Sequence, residues 1–558
     1  MNRRTLWLAA PVVLVLLWLV LYPNLFVLGD SFSAGGRFST EHYQRFWTSR
    51  SEMGALWASV WISAASVVLS ALFGVPLAFL FARYDFPGRR LLGALAAMPV
   101  LLPPLVGTIS FLFLYGESGF FTRGVQLLLG MESPPWRLAG PGAILLVHAY
   151  TMYVYFYLFV AAGLSRLDAG YAEAATALGA GRLLTLQRVT LPMLAPALGG
   201  AALLVFMTSM ASFSAPYVFG GGFRVLSTQI YASKLNGEGG LVAVEAVVLA
   251  VASLLFLVLL QRYEGTRSYT GASKGLSPAP RSAVGRGWVL ALVASAAIGF
   301  LLLTQITVLL VSFVPEGSWT TEFFPPVYSL ESYRSLVSSQ DRLVPVLNSL
   351  RMATIATLAN IVFAFAAGYL LARRRFRGRA AVNALVVLPW ALPGTVLAIA
   401  LASTFGVHQP WAGRFVLIGS FAILPLAYFI RNIPLVTRAA LASFQQLDPA
   451  VEEAAASLGA SRATTMWRVV LPLVLPGLAA GALLAFVTAL GEFVASILLY
   501  THRTRPISIE MLSQLRAFDF GGAAAYGVLL IVLVGLVFVF GYRTVSGDPQ
   551  PGTAGRLP

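Results

Sequence analysis

No cysteine occurs anywhere in the chain. Disulfides, thiolate metal centres and cysteine nucleophiles are thereby excluded. Charge is scarce as well. Only 11% of the 558 residues are Asp, Glu, Lys or Arg, where a soluble protein carries about a quarter. Histidine occurs four times, at His42, His148, His408 and His502, with no metal-ligand spacing among them. Neither a metal site nor a cofactor is expected. The phosphate-cradling pattern G-x-x-x-x-G-K-[ST] is missing, and no Gly-Lys pair is followed by Ser or Thr. Ten-residue segments of alternating polarity, the mark of an outer-membrane barrel, are missing too.

What is present is apolar. Hydrophobic residues make up 58% of the chain, and its mean hydropathy is +0.79. Charges cluster and leave long apolar runs between them, and runs of roughly 20 such residues span a bilayer as helices. The expected fold class is therefore all-α integral membrane with about 12 transmembrane helices. The spans are placed at 6–28, 57–82, 91–115, 141–163, 193–218, 241–262, 288–313, 345–372, 381–405, 414–435, 473–500 and 523–542. The opening run "MNRRTLWLAAPVVLVLLWLVLYPNLFVL" is too long for the core of a signal peptide, and no small-residue cleavage site follows cleanly. It is read as a first helix that stays.

An even number of spans puts both termini on one side. Most of the Lys and Arg fall on that side, so the positive-inside rule makes it cytoplasmic. The net charge of +16 is then a consequence of topology and of anionic membrane lipid. It gives no reason to invoke nucleic acid.

Residues 263–287, "YEGTRSYTGASKGLSPAPRSAVGRG", are rich in Gly, Ser, Pro and Arg. They read as a flexible cytoplasmic linker. This linker divides a first half, 1–262, from a second half, 288–545, each with six spans; a tail, 546–558, follows. The halves repeat. "FARYDFPGRR" at 81–90 matches "LARRRFRGRA" at 371–380, and Pro99 and Pro103 match Pro389 and Pro393. "SRLDAGYAEAA" at 165–175 matches "QQLDPAVEEAA" at 445–455. The offset falls from 290 to 280 between these matches. The first half thus carries about ten extra residues, assigned to an external loop in "ESGFFTRGVQLLLGMESPPW". Both halves run in the same direction, which is a parallel repeat about an axis along the membrane normal.

The most polar repeated stretch is "EAATALGAGRLLTLQRVTLP" at 173–192, matched by "EAAASLGASRATTMWRVVLP" at 453–472. Glu and Ala favour helix, and Gly permits a sharp turn. Arg182, Arg188, Arg462 and Arg468 charge the second arm, and Pro192 and Pro472 suit the first turn of the span that follows. Each copy is expected to form helix, turn, helix between spans four and five of its half.

These stretches resemble the EAA motif of permease subunits of ABC importers: Glu-Ala-Ala, three residues, Gly, nine residues, a hydrophobic position, one residue, Leu-Pro. Glu173, Ala174, Ala175, Gly179, Val189 and Pro192 match it once, and Glu453, Ala454, Ala455, Gly459, Val469 and Pro472 match it again. The six-plus-six layout resembles the fused permeases of ferric-iron and thiamine importers. The resemblance implies a bacterial inner-membrane permease with both termini cytoplasmic. Each loop would be a coupling helix seated on one of two copies of an ABC ATPase. An extracytoplasmic solute-binding protein would deliver the cargo. Hydrolysis would belong to the separate ATPase chain, and transport would proceed by alternating access.

Glu492, in "TALGEFVAS", is the one carboxylate placed well inside a span. It either attracts a cationic substrate or holds a gate, or else pairs with a neighbour and fixes packing. Ser212 stands at its repeat position, and Phe213 matches Phe493. Tyr150, Tyr153 and Tyr157 share one helix face and either line a polar path or serve packing. Pro99, Pro103, Pro104, Pro389 and Pro393 interrupt spans three and nine, as in helices that border transport sites. The resemblance favours ferric iron as the cargo. Thiamine, a polyamine, a phosphonate or a small oxyanion are the alternatives within the same class. An integral-membrane enzyme or an ion-coupled secondary transporter using Glu492 would leave the paired loops unexplained.

Overall fold

A computed structural model describes residues 3–265, 282–283, 287–319 and 322–545. The expected linker 263–287 lies largely outside the described residues, and the tail 546–558 lies wholly outside them. Within the linker stretch, Ser282–Ala283 pairs in parallel with Tyr84–Asp85.

The chain is an all-α membrane protein. Among the described residues, nine helices are long and apolar enough to cross a bilayer, and two bent pairs bring the number to eleven. The remaining expected span is the helix Ile423–Gln446. It carries Arg431, Asn432 and Arg438, which lower its apolar character. The span expected at 414–435 is thus displaced, because 414–422 is irregular and the helix continues to Gln446. The second helix of each half exceeds a bilayer: Arg50–Arg83 and Gln340–Arg373 have 34 residues each, about 51 Å at 1.5 Å per residue.

Four expected spans are broken. The third is Arg89–Ala97, a 3₁₀ turn and then Pro104–Tyr115; the ninth is Arg379–Ala391 followed by Gly394–Phe405. The ninth bends by 106°. Pro103 and Pro393 stand just before the second segment, where no backbone N–H is needed. The fifth and eleventh spans end early, at Met210 and Leu490, and short helices Ser214–Phe219 and Val494–Leu499 follow.

The first helix of each half packs on the other half. Residues 22–30 lie against Gly394–Phe405, and Gly287–Val311 lies against Pro104–Tyr115. Trp18 packs edge-on to Phe405 with ring centroids 6.3 Å apart, and its indole donates to the Trp411 carbonyl at 3.2 Å. The insert of the first half forms the helix Phe120–Leu128. Phe120 stacks on Trp319 at 4.6 Å, and the Arg123 guanidinium lies over that indole at 4.7 Å. The two halves are therefore interlocked.

Candidate functional site

The repeated loops have nearly the same backbone. The Asp168 carboxylate accepts the Gly170 N–H at 3.0 Å, and the Asp448 carboxylate accepts the Ala450 N–H at 2.9 Å. These bonds satisfy donors that a helix start leaves open. The helices are Ala169–Ala177 and Ala450–Ser457. Both end at a glycine in the left-handed region, Gly179 at φ +83° and Gly459 at φ +81°. The Gly179 N–H reaches the Thr176 carbonyl and the Ala180 N–H reaches that of Ala175; Gly459 to Ala456 and Ala460 to Ala455 repeat the pattern. This is a Schellman cap, which glycine adopts without the Cβ penalty.

Glu173, Ala174, Glu453 and Ala454 are exposed, while Ala175 is half-buried and Ala455 buried. The residue before each glycine is a leucine in water, Leu178 at 89% exposure and Leu458 at 88%. The loops differ in one tether. Arg373, at the end of its long helix, donates to Glu452 at 2.9 Å and to the Leu447 carbonyl at 2.7 Å. The first half has Arg83 at the matching position but Ala172 in place of Glu452.

Pro192 and Pro472 do not begin a span. Helical backbone starts earlier, at Arg182 and Arg462, and passes through π turns at Leu186–Thr190 and Met466–Val470. The widened turn makes room for a proline ring that would otherwise press on the carbonyl four residues back. Beyond it the first half bends by 65° at Leu194, while the second runs unbent from Arg462 to Leu490.

Glu492 lies in the break after Leu490, and not within a helix. Its Oε1 accepts the Ala495 N–H at 2.8 Å, and its Oε2 pairs with Arg431 Nε at 3.3 Å. Arg431 was missed as its partner, although a signal existed: the repeat positions of Arg431 and Glu492 are Thr151 and Ser212, so both charges are absent together from the first half. The hydroxyls of Ser227 and Ser508 donate to the carbonyls of Ser212 and Glu492, at 2.6 and 2.8 Å. The two breaks are thus held alike despite the charge difference. Ser212 Oγ also lies 2.9 Å from Nε2 of the buried His148.

Phe213 and Phe493 meet. Their ring centroids are 5.8 Å apart, and Tyr217 and Tyr231 complete the cluster, each within 5.6 Å of Phe213. Gly491 sits against Pro103, which an added Cβ would approach to 2.9 Å. The three tyrosines lie elsewhere. Tyr150 donates to the Leu301 carbonyl at 2.8 Å, Tyr153 to that of Ala96 at 2.7 Å, and Tyr157 to that of Gly93 at 3.1 Å.

Two other buried carboxylates do lie within long apolar helices. Glu245, in the apolar run "LVAVEAVVLA", is fully buried, and Glu52 is buried at the start of its long helix. The single acid in that run was a legible signal.

A family profile described as "Binding-protein-dependent transport system inner membrane component" matches residues 74–266 and again residues 361–546. The chain belongs to this family. It is 30% identical to the "Probable ABC transporter permease protein y4fN" of Sinorhizobium fredii, over 89% of this chain and 87% of that protein. Identity to the "Ferric transport system permease protein FbpB" of Actinobacillus pleuropneumoniae is 25%, over 97% and 78%. The "Sulfate transport system permease protein CysT" of Escherichia coli is 34% identical over 36% of this chain and 74% of that one. In this permease each matched segment contains one repeated loop and one aromatic break. The exchanged helices 3–30 and 287–311 lie outside both segments.

Proposed function

We propose that this permease forms the whole membrane pathway of an importer, with halves 1–262 and 288–545 joined by the linker 263–287. Two copies of a separate ATPase dock on the loops 169–192 and 450–472. The observation that carries this reading is the paired leucines. Leu178 and Leu458, at matching positions and nearly fully exposed, are the apolar anchors that a partner covers, with Leu183, Leu184 and Trp467 exposed beside them. Glu173 and Glu453 flank them for polar contacts, and Gly179 and Gly459 fix the angle at which they are presented.

ATP-driven approach of the two ATPase copies would move the loops. The helices beyond them, bent at Leu194 in the first half and unbent in the second, would pass that movement to the breaks at Phe213 and Phe493. Alternating access then means parting these rings. Cargo arrives from an extracytoplasmic binding protein, both termini lie in the cytoplasm, and the membrane is the bacterial inner membrane. Hydrolysis belongs to the ATPase chain.

Ferric iron is the proposed cargo. Its support is coverage: the ferric-named relative aligns across both halves, and the sulfate-named one across 36% of the chain. A second reading is a small oxyanion, which the 34% identity of part of the chain to the sulfate-named relative supports. Glu492 does not offer a free negative charge to a cation, since Arg431 occupies it.

Uptake of radioactive ferric iron and of sulfate by cells expressing the full system tests both readings. The Gly179→Trp/Gly459→Trp variant serves as the uncoupled control. Iron uptake abolished in that variant is the expected result. Sulfate uptake without iron uptake transfers the cargo to the second reading. Normal uptake by the variant would remove the loops from the coupling role.

A further inference from the structure

The first half buries two carboxylates together. Glu52 opens the helix Arg50–Arg83, and Glu245 lies in the helix Gly239–Gly265. They are 4% and 0% exposed. One oxygen of each is occupied: Gln229 Nε2 donates to Glu52 Oε1 at 2.8 Å, and Ser233 Oγ donates to Glu245 Oε1 at 2.6 Å. The other oxygen of each, Oε2, is buried with no donor. Gln229 and Ser233 stand one turn apart on the helix Leu226–Leu235, which brings the two carboxyl groups they hold side by side.

Among the described residues no cation pairs with either carboxylate. Among the groups on the packed elements, Arg45 pairs with Glu238, Arg224 reaches Gln229 Oε1 at 3.2 Å, and the Lys234 ammonium caps the Leu498 carbonyl. His42 rests against Gly240. The second half solves the same place differently. Arg342 occupies the repeat position of Glu52, and Tyr526 that of Glu245. There Arg342 pairs with Asp519 at 3.3 Å and Arg505 with Glu510 at 3.0 Å.

Two ionised carboxylates side by side, out of water and without a cation, repel strongly. Two orphan oxygens are both satisfied by one hydrogen between them. We propose that Glu52 and Glu245 form a proton-binding site, in which one proton held between the two Oε2 atoms joins helix Arg50–Arg83 to helix Gly239–Gly265. Gln229 and Ser233 fix the outer oxygens, so the shared proton has a single seat. The same short helix, Leu226–Leu235, carries Tyr231 of the aromatic cluster and Lys234, which reaches across to the second half. Loss of the proton to water would push this helix and the two long ones apart, so the site links proton binding to the packing around the central rings.

Infrared spectroscopy of the full chain in lipid nanodiscs tests this. At neutral pH the wild type is expected to show a protonated-carboxyl C=O band that is absent from both Glu52→Gln and Glu245→Gln. In each variant the new amide N–H replaces the shared proton, so the fold is kept. The wild-type melting temperature is expected to fall by several degrees as alkaline pH removes the band, while both variants lack that step. A wild-type spectrum identical to those of the variants overturns the proposal. So does stabilisation by sodium or potassium chloride over choline chloride that Glu245→Gln abolishes, because a metal cation would then hold the place assigned to the proton.

Discussion

Phe213 and Phe493 are repeat-equivalent residues, and they touch, with ring centroids 5.8 Å apart and neither ring more than 2% exposed. A residue can contact its own repeat mate only where the axis relating the two halves passes between them. These rings therefore mark that axis, and they fill it. Phe213→Ala/Phe493→Ala should open a leak through the resting permease, measured as solute efflux from proteoliposomes. Each truncation should also cost roughly 3–5 kcal/mol of stability. Efflux no faster than wild type would place the closure elsewhere.

The glycines at the loop turns give a cleaner experiment than their neighbours. Nothing lies within 4 Å of a Cβ added at Gly179 or Gly459, so alanine meets no clash and only the positive φ resists it. Each Gly→Ala change should cost about 1–2 kcal/mol locally and lower uptake without affecting membrane insertion. Asn tolerates the left-handed region better, so Gly179→Asn/Gly459→Asn should retain more uptake than the alanine pair.

Arg431 and Glu492 should behave as a unit. Removing Glu492 alone leaves a guanidinium only 28% exposed without its carboxylate, at a cost of roughly 3–5 kcal/mol. Placing the first half's residues here, Arg431→Thr/Glu492→Ser, should recover most of that loss in a double-mutant cycle followed by thermal unfolding. Uptake by the stable double variant then reports whether the cargo needs the charges.

The second loop is tethered to its long helix by Arg373 and Glu452, and the first loop lacks that bond. Glu452→Ala should reduce uptake several-fold while the ATPase still co-purifies with the chain. Ala172→Glu should create the missing pair with Arg83 and raise stability by about 0.5 kcal/mol, read from the melting temperature.

Tyr150 joins the halves through Leu301 and Thr304, at 2.8 and 2.7 Å. Tyr150→Phe should cost about 1 kcal/mol and leave the choice of cargo unchanged. Altered selectivity between ferric iron and sulfate would instead make this hydroxyl part of the path.

The membrane class, the duplication and both loops are legible in the order of residues alone. Those features are written locally: an apolar run must form a helix in lipid, and a glycine after Glu-Ala-Ala must turn. Even the breaks at Pro103 and Pro393 follow from a ring that cannot donate an N–H. Which distant residues meet emerges from the folded chain. The partner of Glu492 is Arg431, on another helix, and the pairing of Glu52 with Glu245 spans almost the whole first half. The exchange of the two first helices was invisible because a uniformly apolar helix carries no address. Its neighbours are chosen by shape and by a few hydrogen bonds, such as that of Trp18 to Trp411, which exist only once the rest of the chain has folded around it.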